Sequence, residues 1–231
     1  MIKGLLKTSL IDYPDKICTV LYTSGCNLRC KYCYNFDFAC NSDSLNKIYS
    51  EEEIFSFLKK RKNLLDGVTI TGGEPTLFKN LDKIILKIKE LSLAVKLDSN
   101  GLKPEVIESL LKQKLLDYVA IDLKTSPAKY NELTNREVDF SKILETINLL
   151  KNSEVNYELR TTCLPGFVSL EDLEKIKNEV KSVKKYCLQQ FINNTPLLDN
   201  SWEEVEPYSL EVLEEFKSFV QTFATEVELR V

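Results

Sequence analysis

Cys26, Cys30 and Cys33 place three thiols within eight residues, in the spacing Cys-x3-Cys-x2-Cys. Thiolates are the usual ligands of iron–sulfur clusters, and three of them can hold a four-iron cube while leaving one iron open to a further ligand. Cys40, a fourth thiol further along, keeps two other readings open: a zinc site of four thiolates, or a closed electron-transfer cluster. The chain contains no histidine, so any metal must rest on thiolates and carboxylates. Four of the seven cysteines crowd into residues 26–40, a clustering that favours metal binding over disulfides in a chain without a secretory leader. Cys18, Cys163 and Cys187 lie in apolar runs and read as small buried hydrophobes.

Six short apolar runs read as strands: 17–22, 68–70, 93–97, 118–121, 157–161 and 186–190. Their near-continuous apolar character predicts burial on both faces. Each runs into polar or glycine-rich residues. The first leads to Ser24, Gly25 and the cysteines, the second to Gly72-Gly73-Glu74-Pro75, and the third to Asp98-Ser99-Asn100-Gly101. The fourth reaches Asp122-Leu123-Lys124, the fifth contains Arg160 and Thr161, and the sixth ends at Gln189 and Gln190. Taken singly, the glycine and Asn-Gly segments are good turns, and Asp122 with Lys124 or Arg160 would make an ordinary ion pair. Jointly they predict one functional rim at the strand ends, where α/β barrels place active sites.

Helices are predicted between these strands. Ser50 and Glu53 form a capping box, Leu81, Ile84, Ile85, Ile88 and Leu91 share one helical face, and Pro104 opens a further helix. Others are expected over 141–151, 170–181 and 209–223, and the polar stretch between Cys40 and Ser50 reads as a loop. Basic residues 59–62 read as the solvated end of a helix. Alternating strands and helices imply parallel pairing through right-handed crossovers, and the expected fold is α/β, a barrel-like sheet of six strands.

The length suits a single domain over residues 1–231. With 31 basic and 35 acidic residues, the net charge of -4 gives no general attraction to nucleic acid or anionic lipid. No apolar run approaches the roughly 18 residues of a membrane span, and the first residues lack a signal-peptide core, so a cytoplasmic location is expected.

The segment Cys26-Asn-Leu-Arg-Cys30-Lys-Tyr-Cys33 resembles the signature loop of the radical S-adenosylmethionine (SAM) superfamily. Gly72-Gly73-Glu74 is similar to that family's motif for the methionine amino group of SAM. Asp98-Ser99-Asn100-Gly101, Asp122-Leu123-Lys124 and Arg160 resemble strand-end positions of its glycyl-radical-enzyme activases. The lead-in Lys7-Thr8-Ser9-Leu10-Ile11-Asp12-Tyr13-Pro14 is similar to that of the anaerobic ribonucleoside-triphosphate reductase activating group.

The resemblance covers nearly the whole chain and implies a partial parallel (β/α)6 barrel. It implies a 4Fe-4S cluster on Cys26, Cys30 and Cys33, with Tyr32 against the adenine. Gly72, Gly73, Glu74, Asp98, Asn100, Asp122, Lys124 and Arg160 would then serve SAM. It further implies reductive cleavage of SAM to a 5'-deoxyadenosyl radical, hydrogen abstraction from a glycine of a partner such as anaerobic ribonucleotide reductase, and a flavodoxin- or ferredoxin-type electron donor. Two positions depart from the pattern: Tyr34 stands where many activases carry histidine, and no histidine follows near the sixth strand.

Overall fold

A computed structural model describes residues 1–42, 45 and 47–231; the predicted loop between Cys40 and Ser50 therefore lies partly outside the described residues, at Asp43, Ser44 and Asn46. In chain order the elements are β1 (Ile2–Ser9), β2 (Cys18–Thr23), α1 (Phe36–Ala39), α2 (Glu51–Arg61), β3 (Gly67–Gly72), α3 (Leu81–Glu90), β4 (Ala94–Ser99), α4 (Pro104–Lys112) and β5 (Tyr118–Asp122). They continue with α5 (Pro127–Thr134), α6 (Phe140–Lys151), β6 (Asn156–Cys163), α7 (Leu170–Val180), β7 (Val183–Gln190), α8 (Leu210–Val220) and β8 (Ala224–Arg230). Strand order in the sheet follows chain order, and the sheet is open, with β1 and β8 at its ends.

The six expected strands are β2 to β7, within a few residues at each end. Two more are present. β1 pairs antiparallel with β2, and β8 pairs parallel with β7. Glycine and lysine in β1 broke the apolar run that would have marked it. β8 alternates Glu226, Glu228 and Arg230 with Val227 and Leu229, a period of two that follows directly after a strong helical pattern.

The chain forms two compact units. The first comprises 1–27, 35–99 and 105–119; the second comprises 28–34, 100–104 and 120–231. In the first, the capping box is present at α2: Ser50 Oγ accepts from Glu53 N–H, and the Glu53 carboxylate accepts from Ser50 N–H. The buried face of α3 is Leu81, Ile84, Ile85 and Ile88, as its spacing predicted. The end of α2 is not wholly solvated, because the Arg61 guanidinium donates to Thr8 Oγ1 at 3.2 Å.

Parallel register places Cys18, Val20 and Tyr22 of β2 on the same face as Thr69 and Thr71 of β3 and Lys96 and Asp98 of β4. Toward the strand starts this face is apolar, with Tyr13, Cys18, Val20 and Tyr118 packed together. Further along it carries charge. Lys96 and Asp98, two residues apart on one strand, form an ion pair whose side chains are only 2% and 9% exposed. Burial on both faces is thus observed, but one face is polar where an apolar one was expected.

In the second unit, Leu159, Thr161, Tyr186 and Leu188 share one face. The Tyr186 ring packs edge-on against Phe223, and its hydroxyl meets Thr161 Oγ1 at 2.6 Å. Glu158, Arg160, Lys185, Cys187, Glu228 and Arg230 occupy the opposite face. Among the described residues, no helix is long and apolar enough to cross a membrane.

Removing one member of a buried ion pair leaves a charge without its counterpart. Lys96→Met is expected to lower the stability of the chain by about 3 kcal/mol, read from urea unfolding of wild type and variant.

Candidate active site

In the first unit the predicted residues gather around backbone rather than around side chains. Gly72 has φ +111° and Gly25 has φ +89°, values that L side chains rarely adopt. Gly73 lies so close to the residue preceding the first cysteine that a Cβ would stand 2.2 Å from the Gly25 carbonyl oxygen. That carbonyl accepts from Glu74 N–H at 2.8 Å, so the Gly-Gly-Glu turn holds the start of the cysteine loop.

Glu74 itself is buried, and its Oε1 accepts from Thr76 N–H at 3.0 Å, Thr76 Oγ1 at 2.6 Å and Ser99 Oγ at 2.8 Å. The carboxylate therefore ties the end of β3 to the end of β4. Asp98 is paired with Lys96.

Cys26 also belongs to the first unit, and the second holds Cys30, Tyr32, Cys33, Asn100, Asp122, Lys124 and Arg160. Cys30 is buried, Cys33 is half-buried, and Cys33 N–H donates to Cys30 O at 3.0 Å in a tight turn. The loop backbone is held from two sides. Arg29 and Lys31 donate N–H groups to Thr134 O and Leu133 O at the end of α5, at 2.9 and 3.1 Å. Lys31 O and Cys33 O accept from Asp199 N–H and Leu198 N–H, at 3.1 and 3.0 Å.

At the end of β5, Asp122 accepts from Arg160 Nε at 2.9 Å, with the Lys124 ammonium at 3.6 Å. The ion pairing that competed with a functional reading of these residues is thus present. Tyr32 is buried, and Lys124 Nζ lies 5.9 Å from its ring centroid. Burial pushes the Tyr32 hydroxyl above the usual tyrosine range, with Lys124 opposing. Burial also raises the Cys30 thiol, again with Lys124 pulling the other way. A thiolate at Cys30 gains from a cation beside it, which fits iron ligation. Asn100 uses its side-chain oxygen to accept from Leu102 N–H at 3.1 Å, the local turn that its sequence offered as the competing reading.

Three thiols in one short loop, by the chemistry of the donor set, fit a thiolate-bound iron–sulfur cluster. Cys40 is exposed at the end of α1, and Cys18 and Cys163 are buried as expected. Cys187 is buried too, but its surroundings are not apolar, because its thiol donates to Glu158 at 3.2 Å.

Among the described residues, Glu158, Cys187 and Glu228 are the group close enough to share a metal ion. Protein cations already serve it. Arg230 donates to Glu158 at 3.1 and 2.9 Å and to Glu228 at 2.8 and 3.0 Å, and Lys185 lies 2.9 Å from Glu228.

Sequence reading missed α5 and the segment at Leu198 and Asp199. Ser126-Pro127 was a legible helix start and Asn135, in the left-handed conformation, a legible stop.

Hydrogen bonds from Arg230 hold the Glu228 carboxyl down at about 2, from an ordinary 4.5. A carboxyl depressed in the folded chain adds stability above its unfolded value, and that contribution fades as pH falls through the folded one. Glu228 is 42% exposed, so solvent screens the effect. The stability gap between the wild-type chain and Glu228→Gln, both without metal, is expected to narrow from about pH 6 to about pH 3, measured by thermal unfolding.

The radical SAM superfamily model matches residues 20–180. A Methanocaldococcus jannaschii protein assigned, itself by inference, as a glycyl-radical enzyme activating enzyme is 40% identical over 196 residues, 83% of this chain and 80% of its own length. The pyruvate formate-lyase-activating enzyme of Clostridium pasteurianum is 28% identical over 215 residues, covering 88% of this chain and 86% of that protein. A GTP 3',8-cyclase of Aquifex aeolicus is 27% identical over 168 residues, 71% of this chain and 52% of that protein. The fold matches Streptococcus suis SuiB bound to SAM with a TM-score of 0.68 at 18% identity, over 92% of this chain and 50% of the SuiB chain. This chain therefore belongs to the radical SAM superfamily, enzymes that work with a 4Fe-4S cluster and SAM, and within it to the glycyl-radical-enzyme activating type.

Proposed function

We propose that the chain, as one radical SAM domain over residues 1–231, installs a glycyl radical on an anaerobic ribonucleoside-triphosphate reductase. The observation that carries this reading is the 40% identity to an activating-type relative across 83% of the chain. The lead-in at residues 7–14, similar to that of the reductase-activating group, supports the choice of partner.

In this reading Cys26, Cys30 and Cys33 hold the 4Fe-4S cluster, which supplies the electron that cleaves the SAM sulfonium. The chain's residues bind and orient. Gly72, Gly73 and Glu74 present backbone groups to the methionine amino end, with the buried Glu74 carboxylate keeping the turn rigid through Ser99 and Thr76. Tyr32 covers the adenine. Asp98, Asn100, Asp122, Lys124 and Arg160 complete the SAM contacts, and their pairing fixes side chains that would otherwise lose rotamer freedom on binding. A flavodoxin- or ferredoxin-type protein supplies the electron.

The second reading keeps the chemistry and changes the target to a small molecule or peptide. The similarity to a GTP 3',8-cyclase favours it.

Anaerobically reconstituted, reduced protein is expected to give a 4Fe-4S electron paramagnetic resonance signal that changes on adding SAM, with 5'-deoxyadenosine formed. With SAM and a purified anaerobic ribonucleotide reductase, a glycyl-radical signal is expected on the reductase. Deuterium passing instead from a labelled metabolite into 5'-deoxyadenosine would move the assignment to the second reading. Cys40→Ala is expected to keep its iron, whereas Cys30→Ala loses the cluster. Gly73→Ala, by pushing on the Gly25 carbonyl, is expected to lower both iron incorporation and SAM binding by about ten-fold or more.

A further inference from the structure

Helix α5 joins, within the second unit, the backbone of the cysteine loop to the exit of β5. Its start is anchored by Ser126 and Lys129, whose side chains donate to Asp172 at 2.7 Å each. Its last carbonyls accept from Arg29 and Lys31, on either side of Cys30. Midway stands Tyr130, 1% exposed, with its ring edge-on to Phe140 at 5.4 Å.

At the exit of β5 the Tyr130 hydroxyl meets backbone: it donates to Asp122 O and accepts from Lys124 N–H, both at 3.3 Å. Those two groups flank Leu123, whose N–H donates to Arg160 O at 2.8 Å. One phenol thus spans the residue between two proposed SAM contacts.

We propose that Tyr130 is a positioning residue for SAM binding: its hydroxyl closes the backbone at the exit of β5 and thereby sets the directions of the Asp122 and Lys124 side chains. The inference rests on the proposed assignment of those two residues to SAM. Removing the hydroxyl deletes one hydrogen bond from each of these two part-buried backbone groups, and the short backbone between them shifts to make up the loss. Such a shift moves Lys124 without disturbing the ring packing that holds α5, because a phenylalanine fills the same space against Phe140.

The test is a double-mutant cycle on anaerobically reconstituted protein, with SAM affinity, iron content and melting temperature measured for wild type, Tyr130→Phe, Lys124→Met and the double variant. Tyr130→Phe is expected to keep its iron and melt close to wild type, while binding SAM about five- to ten-fold more weakly. It should also blunt the SAM-induced change in the cluster's electron paramagnetic resonance signal. The double variant is expected to bind SAM less weakly than the two single penalties added together, because the hydroxyl acts in part through the Lys124 side chain. Unchanged affinity in Tyr130→Phe, or penalties that simply add, would overturn the inference. Loss of iron or of folded protein in Tyr130→Phe would also overturn it, making Tyr130 a structural residue. A wild type that binds no SAM, or a Lys124→Met variant that binds it as tightly as wild type, would overturn the underlying assignment instead.

Discussion

A charge removed from water costs several kcal/mol unless a counter-charge stands beside it, and this chain meets that constraint in each of its two units. Lys96 pairs with Asp98 in the first unit. In the second, Asp122 meets Arg160 and Lys124, and Glu158 meets Arg230. Side chains alternate along a strand, so Lys96 and Asp98, two residues apart, share a face, whereas Glu158 and Arg230 reach each other across β7.

The same constraint governs how a loop can present thiols. A segment outside regular structure carries backbone groups that must find partners, and residues 29–33 find theirs in the end of α5 and in Leu198 and Asp199. The loop's start is gripped by the Glu74 N–H, at an approach that only glycine at 73 permits. Around Cys30 and Cys33 several backbone groups of the loop are thus already paired within its own unit.

Much of this was legible in the sequence. The cysteine spacing, the capping box at Ser50 and the apolar face of α3 each depend on residues close in sequence, and each is found. The six central strands were legible because they are buried on both sides. The edges were not: β1 carries lysines and glycine, and the alternation of β8 was masked by the helix before it. Periodicity also misjudged polarity, since an apolar run records that a strand is buried and says nothing of a paired lysine and aspartate within it. The role of α5 was hidden for another reason. Its grip on the cysteine loop passes through the carbonyls of Leu133 and Thr134, and backbone groups leave no mark on residue type.

The ion pairs at the strand ends bear on how structural and functional readings of one residue should be weighed. Asp122, Lys124 and Arg160 were open to either reading, and their pairing does not exclude a functional one. A lone buried lysine would shed its proton or draw in water, whereas one held beside Asp122 keeps both its charge and its direction. A charge kept and aimed before the ligand arrives need not be reorganised when it binds, which is the condition under which electrostatic contacts are worth most. Glu74 shows the same economy in a turn: its carboxylate is committed to Thr76 and Ser99, and that commitment leaves the glycine backbone beside it rigid. Pairing of a strand-end residue is therefore compatible with ligand binding, because pairing is what holds its geometry.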